Sequence, residues 1–209
     1  MHNVEIKKGA QSCNSIEHPT DVISNDNNST SKGIKANDGS YDVYEAVDHS
    51  FNHVTHGMPS AVYIYKDINV NDLLVQCRFD TGDGKKFSIH SYVDNKWQRG
   101  KHIMGNAPLY NLPHFAIEPE KPLLFVEGEK AAEQVKQLSY DYISTTTIQG
   151  SNSPHKSDFS PVKGRVVYIC PDNDDNGRDY ADKVAEFCIR HGASEVYIID
   201  YPPAEFEHK

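Results

Sequence analysis

The chain of 209 residues sets 21 Lys and Arg against 30 Asp and Glu, a formal charge of −9, and 37% of its residues are hydrophobic. That length has room for one ordinary domain beside a smaller one, and the acidic balance excludes a protein that grips nucleic acid over its whole surface, because neutralising phosphates takes clustered cations. Cys13, Cys77, Cys170 and Cys188 stand apart without a C-x-x-C pair, which excludes a zinc ribbon or finger.

Residues 1–40 are rich in Asn, Ser, Asp and Thr with little periodic apolar content, and the expectation is a disordered arm. The arm lacks the charged-then-apolar order of a secretion signal, and no later run approaches the length of a membrane span. A reducing, cytoplasmic setting with no membrane partner is therefore expected. Tyr41-Asp42-Val43-Tyr44-Glu45-Ala46-Val47 fits a short helix, followed by His49, His53 and His56. Without a Cys or acidic partner at ligand spacing, those histidines read as linker residues rather than as a metal site.

From residue 61 to about 97 the pattern changes to strands over 61–66, 73–79 and 86–93. The last two join through Asp80-Thr81-Gly82-Asp83-Gly84, a hairpin signal in which two glycines are expected to supply positive φ. The result is a small antiparallel meander within residues 41–107, with Trp97 covering one face. It reads either as a structural subdomain or as a nucleic-acid platform that uses Arg78, Lys85, Lys86 and exposed aromatics, since bases stack on aromatic faces beside a positive groove.

Residues 108–209 form the next unit. After a Pro-rich connector over 108–122, the pattern predicts a strand near 123–127, a helix near 129–138, strands near 142–148 and 165–170, a helix near 177–191 and a strand near 195–200. Such alternation favours a largely parallel sheet with helices on both faces. In the second helix Tyr180, Val184, Phe187 and Cys188 fall at helical spacing and read as core.

Two strand ends carry the chemistry. Leu123-Leu124-Phe125-Val126 runs into Glu127-Gly128-Glu129-Lys130, where Gly128 permits a tight turn or a close backbone approach and Lys130 falls in the first helical turn, near N–H groups that favour anions. Val166-Val167-Tyr168-Ile169-Cys170 runs into Pro171-Asp172-Asn173-Asp174-Asp175-Asn176-Gly177-Arg178. Asp172 and Asp174 are two apart, so on a continued strand both would point the same way and share a hard cation. The same loop also reads as a turn with a helix cap supplied by Asp175 or Asn176. Arg178 suits either a substrate phosphate or a neighbouring carboxylate, and the loop from Gly150 through Lys156, with Lys163 and Arg165, offers further positive charge.

In motif content and order, residues 121–201 resemble the TOPRIM domain of primases and topoisomerases: an acid after one strand at Phe125-Val126-Glu127-Gly128-Glu129-Lys130, an apolar segment ending at Gly150, then Pro171-Asp172-Asn173-Asp174. They look most like the phage- and plasmid-type primases, which often carry Pro where Asn176 stands, and Pro108-Leu109-Tyr110-Asn111-Leu112-Pro113 resembles the lead-in those proteins use. The resemblance implies an α/β fold, a TOPRIM-like largely parallel sheet with flanking helices, preceded by the small antiparallel β subdomain and the disordered arm. It assigns Asp172 and Asp174 to binding Mg²⁺ or Mn²⁺ and Glu127 to metal binding or proton transfer, while Gly128, Lys130, Gly150 and Arg178, by their own chemistry, are expected at the substrate. The implied activity is primer synthesis on single-stranded DNA from nucleotides in replication, with a replicative helicase as a further partner. Nuclease chemistry and non-catalytic nucleic-acid binding are the alternatives. The family's zinc module and the acidic segment that follows its last strand are not matched, which leaves synthesis, cleavage and binding open.

Overall fold

A computed structural model describes residues 6–9, 51, 53, 55–93, 96–100, 106–150 and 153–199. The expected helix at 41–47, His49 and most of the expected disordered arm lie outside these residues. Within the arm, Ile6–Gly9 forms a strand, β1.

The strands that follow are β2 (Ala61–Lys66), β3 (Asp72–Thr81), β4 (Gly84–Val93) and β5 (Lys96–Arg99), which pair antiparallel in the order β2-β3-β4-β5. Helix α1 (Leu112–Ile117) leads into β6 (Leu123–Val126), α2 (Glu129–Leu138), β7 (Ile143–Thr145), two short 3₁₀ turns, β8 (Val166–Cys170), α3 (Asp175–Arg190) and β9 (Glu195–Ile199). These build a parallel sheet in the order β1-β9-β8-β6-β7. The α/β architecture with an antiparallel sheet ahead of a parallel one is thus present.

Alternation along the strands explains how the two sheets meet. On β6, Leu123 and Phe125 enter a core shared with Val167 and Ile169 of β8 and with Tyr180, Val184 and Cys188 of α3. Leu124 and Val126, pointing the other way as neighbours on a strand must, join Ala132 of α2 and Tyr63, Tyr65 and Leu74 of the antiparallel sheet. One face of the parallel sheet is therefore covered by α3, the other by α2 and the antiparallel sheet. The outer face of the antiparallel sheet is sealed separately, with Val75, Cys77 and Phe79 packed under Phe51 and Trp97.

Several local expectations are corrected. The β3–β4 hairpin closes with one positive-φ glycine rather than two: Gly84 has φ +105° and pairs with Thr81, while Gly82 is not in the left-handed region. β7 ends at Thr145 rather than near 148, because the chain leaves the sheet there and buried hydroxyls find other partners. Thr145 donates to Tyr110 O (2.8 Å) and Thr147 to Gly150 O (3.1 Å). Helix α3 starts at Asp175 rather than Gly177, two residues early, because Asp174 is its N-cap and accepts from the Gly177 N–H.

The order of the strands fixes where a ligand belongs. From β6 the chain crosses through α2 to β7 on one side, and from β8 through α3 to β9 on the other. Adjacent parallel strands whose crossovers depart in opposite directions leave a crevice beyond their carboxyl ends, the usual place for a ligand in an open α/β sheet.

Candidate functional site

Glu127 and Asp172 stand at that crevice. β6 and β8 are paired through Val126 and Cys170; Glu127 is the first residue beyond the pairing on one strand and Asp172 the second on the other. Both line a cleft of about 630 Å³ together with Gly128, Lys130, Gln149 and Gly150. Its opposite wall belongs to the antiparallel sheet, through Gln76, Arg78, Lys85 and Phe87.

Two glycines hold the carboxylates in place. Gly150 has φ +55°, and a Cβ there would lie 2.6 Å from the Glu127 carbonyl oxygen. A Cβ on Gly177 would lie 2.2 Å from the Asp172 carbonyl oxygen and 2.8 Å from its nitrogen. Each position needs glycine because another backbone occupies the space a side chain would take. Gly150 lines the cleft, yet its closest role is to support Glu127; Gly177 lets the start of α3 press against the backbone of Asp172. From α3, the buried Tyr180 hydroxyl reaches Val126 O at 3.2 Å, the carbonyl just ahead of Glu127, and lies 3.4 and 3.3 Å from the hydroxyls of Thr146 and Thr147. Tyr180 thus ties together the loops that follow β6 and β7.

The Asp loop divides its labour differently from the sequence expectation. Asp174, rather than Asp175 or Asn176, is the N-cap: its Oδ1 accepts from the Gly177 N–H at 2.7 Å, and its own N–H donates to Asp172 O at 2.9 Å. Asp175 pairs with Arg178 at 2.5 Å on the exposed surface. Of the acids in this loop Asp172 lines the cleft and Asp174 does not, and the base Arg178 lies outside it as well. In this structure Arg178 meets a neighbouring carboxylate, that of Asp175. Lys86 is likewise outside the cleft, since Lys85 and Phe87 on either side of it face in and alternation turns Lys86 out. Arg165 lies at the opposite end of β8, where its guanidinium donates to the carbonyl oxygens of Phe115 (3.0 Å), Glu118 (3.1 Å) and Lys121. Lys163 is at that same far end. Lys156 donates to the Gln149 side chain at 2.9 Å.

Glu129 is the residue that sequence reasoning passed over. It is only 4% exposed, at the start of α2, and its Oε1 accepts from the Tyr65 hydroxyl at 2.6 Å and the Gln76 amide at 2.5 Å, both on the antiparallel sheet. Burial raises its pKa, opposed by the Tyr65 and Gln76 hydrogen bonds and the positive charge of Arg78. Burial, with the Glu129 carboxylate beside it, holds the Tyr65 hydroxyl well above the ordinary tyrosine range. One turn along α2, the Tyr110 hydroxyl donates to Glu133 at 2.9 Å. The signals for this seam were a lone Gln inside the apolar run Leu74-Val75-Gln76-Cys77 and the Tyr-x-Tyr alternation of β2.

Among the described residues no group of three His, Cys, Asp or Glu side chains is gathered so as to hold a metal ion. His53 and His56 stack on each other at 4.4 Å, and the Arg99 guanidinium sits 3.0 Å from His53 Nε2. Two carboxylates at one cleft, Glu127 and Asp172, do suit Mg²⁺, which keeps several waters and commonly takes only one or two protein carboxylates. Among the described residues no helix is long and apolar enough to cross a membrane.

No family model matches the chain, and no curated protein matches it. Among solved structures it is similar to one described as the structure of the DnaG catalytic core, with a TM-score of 0.45 and 18% identity, over 69% of this chain and 45% of that one. The chain thus spans less than half the length of that solved chain.

Proposed function

We propose that this protein is a Mg²⁺-dependent TOPRIM protein of the primase kind, joining nucleotides along single-stranded DNA. The observation that carries this reading is the placement of Glu127 and Asp172 beyond adjacent parallel strands, in one cleft with Lys130 and facing Arg78 and Lys85. In that reading Glu127 and Asp172 hold the cation, with the Asp174 oxygen that is not needed for capping as an outer partner. Bound there, Mg²⁺ would neutralise charge developing on the transferred phosphoryl group.

The chain's own residues supply the rest. Nucleotidyl transfer joins a sugar hydroxyl oxygen to the α-phosphorus, breaks the bond to pyrophosphate and releases one proton. Glu127 is the carboxylate placed to receive that proton, and Lys130, Arg78 and Lys85 bind the phosphates. A second reading, a module that binds nucleic acid without chemistry, is favoured by one observation: Asp174, assigned to metal by the resemblance, serves as a helix cap.

The two readings part in one assay. The full chain is incubated with Mg²⁺ or Mn²⁺, labelled nucleotides and a single-stranded template, and both new oligonucleotides and template loss are scored. Glu127→Gln should abolish product while leaving strand binding nearly intact, because the phosphate contacts persist. Product that survives Glu127→Gln refutes the role of Glu127; a wild type that yields none, beside intact binding, leaves the binding module.

A further inference from the structure

The wall facing the carboxylates has chemistry of its own. Arg78 on β3 and Phe87 on β4 are direct cross-strand partners, and Lys85 precedes Phe87 by two on the same face. All three line the cleft. Phe87 is 50% exposed, whereas the apolar residues on the sheet's other face are sealed under Phe51 and Trp97. A lone exposed phenylalanine needs no explanation on a convex surface. This one sits in a concavity opposite a carboxylate edge, beside Lys85 and beside Arg78, whose guanidinium pairs with Asp80 at 2.8 Å. Half of Phe87 is left open to solvent, and the wall that bears it is fixed to α2 by the bonds from Tyr65 and Gln76 to Glu129. A fixed aromatic face beside positive charge suits a nucleobase, since every base offers a face to stack and a phosphate to pair.

We propose that Phe87 is the stacking residue of a nucleobase subsite on the antiparallel sheet, with Lys85 and Lys130, from the two walls of the cleft, taking the neighbouring phosphates of a single-stranded nucleic acid. The proposal rests on the cleft being a nucleic-acid site but not on its catalysing transfer, so it is tested by binding alone, with EDTA present.

The probe is a labelled single-stranded DNA 12-mer, titrated into the full chain and followed by anisotropy. Phe87→Ala should weaken binding about tenfold, within the range of one lost base stack, in a variant whose melting temperature is measured alongside so that loss of the residue's covered half is read separately. The same variant should bind a baseless sugar-phosphate 12-mer as the wild type does. Phe87→Trp should restore affinity and have its emission quenched by the DNA; the native Trp97 is the chain's one tryptophan and is buried on the far face. Inorganic tripolyphosphate should not quench it. Stronger quenching by the 12-mer than by a mononucleotide supports a strand at the subsite, and equal quenching supports a single nucleotide there. Lys85→Ala should flatten the salt dependence by about one phosphate contact, and Lys86→Ala should not. Equal affinity of Phe87→Ala and wild type, equal losses at Lys85 and Lys86, or a wild type that does not bind DNA would each overturn the proposal. Strand binding that depends on Phe87 in a protein that makes no product would sink the primase reading and leave this one standing.

Discussion

Gly177→Ala puts two ordinary effects in opposition, and the structure says which wins. Gly177 lies in the first turn of α3, where replacing glycine by alanine favours the helix by about 1 kcal/mol and removes disorder from the unfolded chain. Against this, the new Cβ would sit 2.2 Å from the Asp172 carbonyl oxygen, where ordinary contact begins near 3.4 Å. The obstacle is backbone rather than the end of a flexible side chain, and the same oxygen already accepts from the Asp174 N–H. Relief requires the first turn of α3 to move off the loop, and overpacking of this kind costs about 1–3 kcal/mol or more. With the obstacle rigid backbone at 2.2 Å the cost belongs at the top of that range, about 3 kcal/mol, which less the gain of about 1 leaves destabilisation by about 2 kcal/mol. Urea denaturation followed by far-UV circular dichroism measures it, as a lower midpoint at unchanged slope. Gly82→Ala is the control: a Cβ there meets nothing within 4 Å, so the change should be neutral or slightly stabilising. If Gly177→Ala is as stable as wild type, the close approach that shapes the Asp loop is not a constraint, and the argument fails.

Other outcomes follow from the same site. Glu129 has its pKa raised by burial in the folded protein, so its proton is held more tightly folded than unfolded. Its favourable contribution is complete below the unfolded carboxylate pKa and is lost as pH rises through the raised value. Glu129→Gln, which keeps the shape without the charge, should therefore gain stability relative to wild type as pH rises from 4 to 8; denaturation midpoints that show the opposite trend would refute it. Asp174→Ala should cost about 1 kcal/mol through loss of the cap, while Asp174→Asn, still able to accept from Gly177, should cost only a few tenths. Calorimetric titration of Mn²⁺ into Asp174→Asn then reads the outer metal role apart from the structural one, with weaker binding expected if the charge matters.

What could be read from the sequence was whatever a local pattern decides. The bounds of α2 were visible because the amphipathic run begins directly after Gly128, and β2 ends where its alternation ends. The acids at the ends of β6 and β8 were visible for the same reason. The choice of cap was not, because Asp174, Asp175 and Asn176 are equally good caps by type. The structure gives the cap to Asp174, whose side chain accepts from the Gly177 N–H. The Glu129 seam was hidden further still, since its partners lie 64 and 53 residues away, and no local period carries that information. The same holds for Arg165, expected to add positive charge near the loop from Gly150, whose position at the far end of β8 gives it to three carbonyl groups.

The pairing of β1 with β9 bears on how the chain reaches this state at all. Ile6 lies opposite Val196, so the outermost strand of the sheet cannot be laid down until almost the whole sequence is available. A contact of such span closes an enormous loop and forms slowly. Until then Val196-Tyr197-Ile198-Ile199 borders the sheet with a bare row of backbone donors and acceptors, in a segment rich in β-forming side chains. Strands with that composition and an open border are natural templates for pairing with another chain. β1 therefore acts as a shield, and the slow closure of so long a loop leaves a window for self-association before it docks on β9.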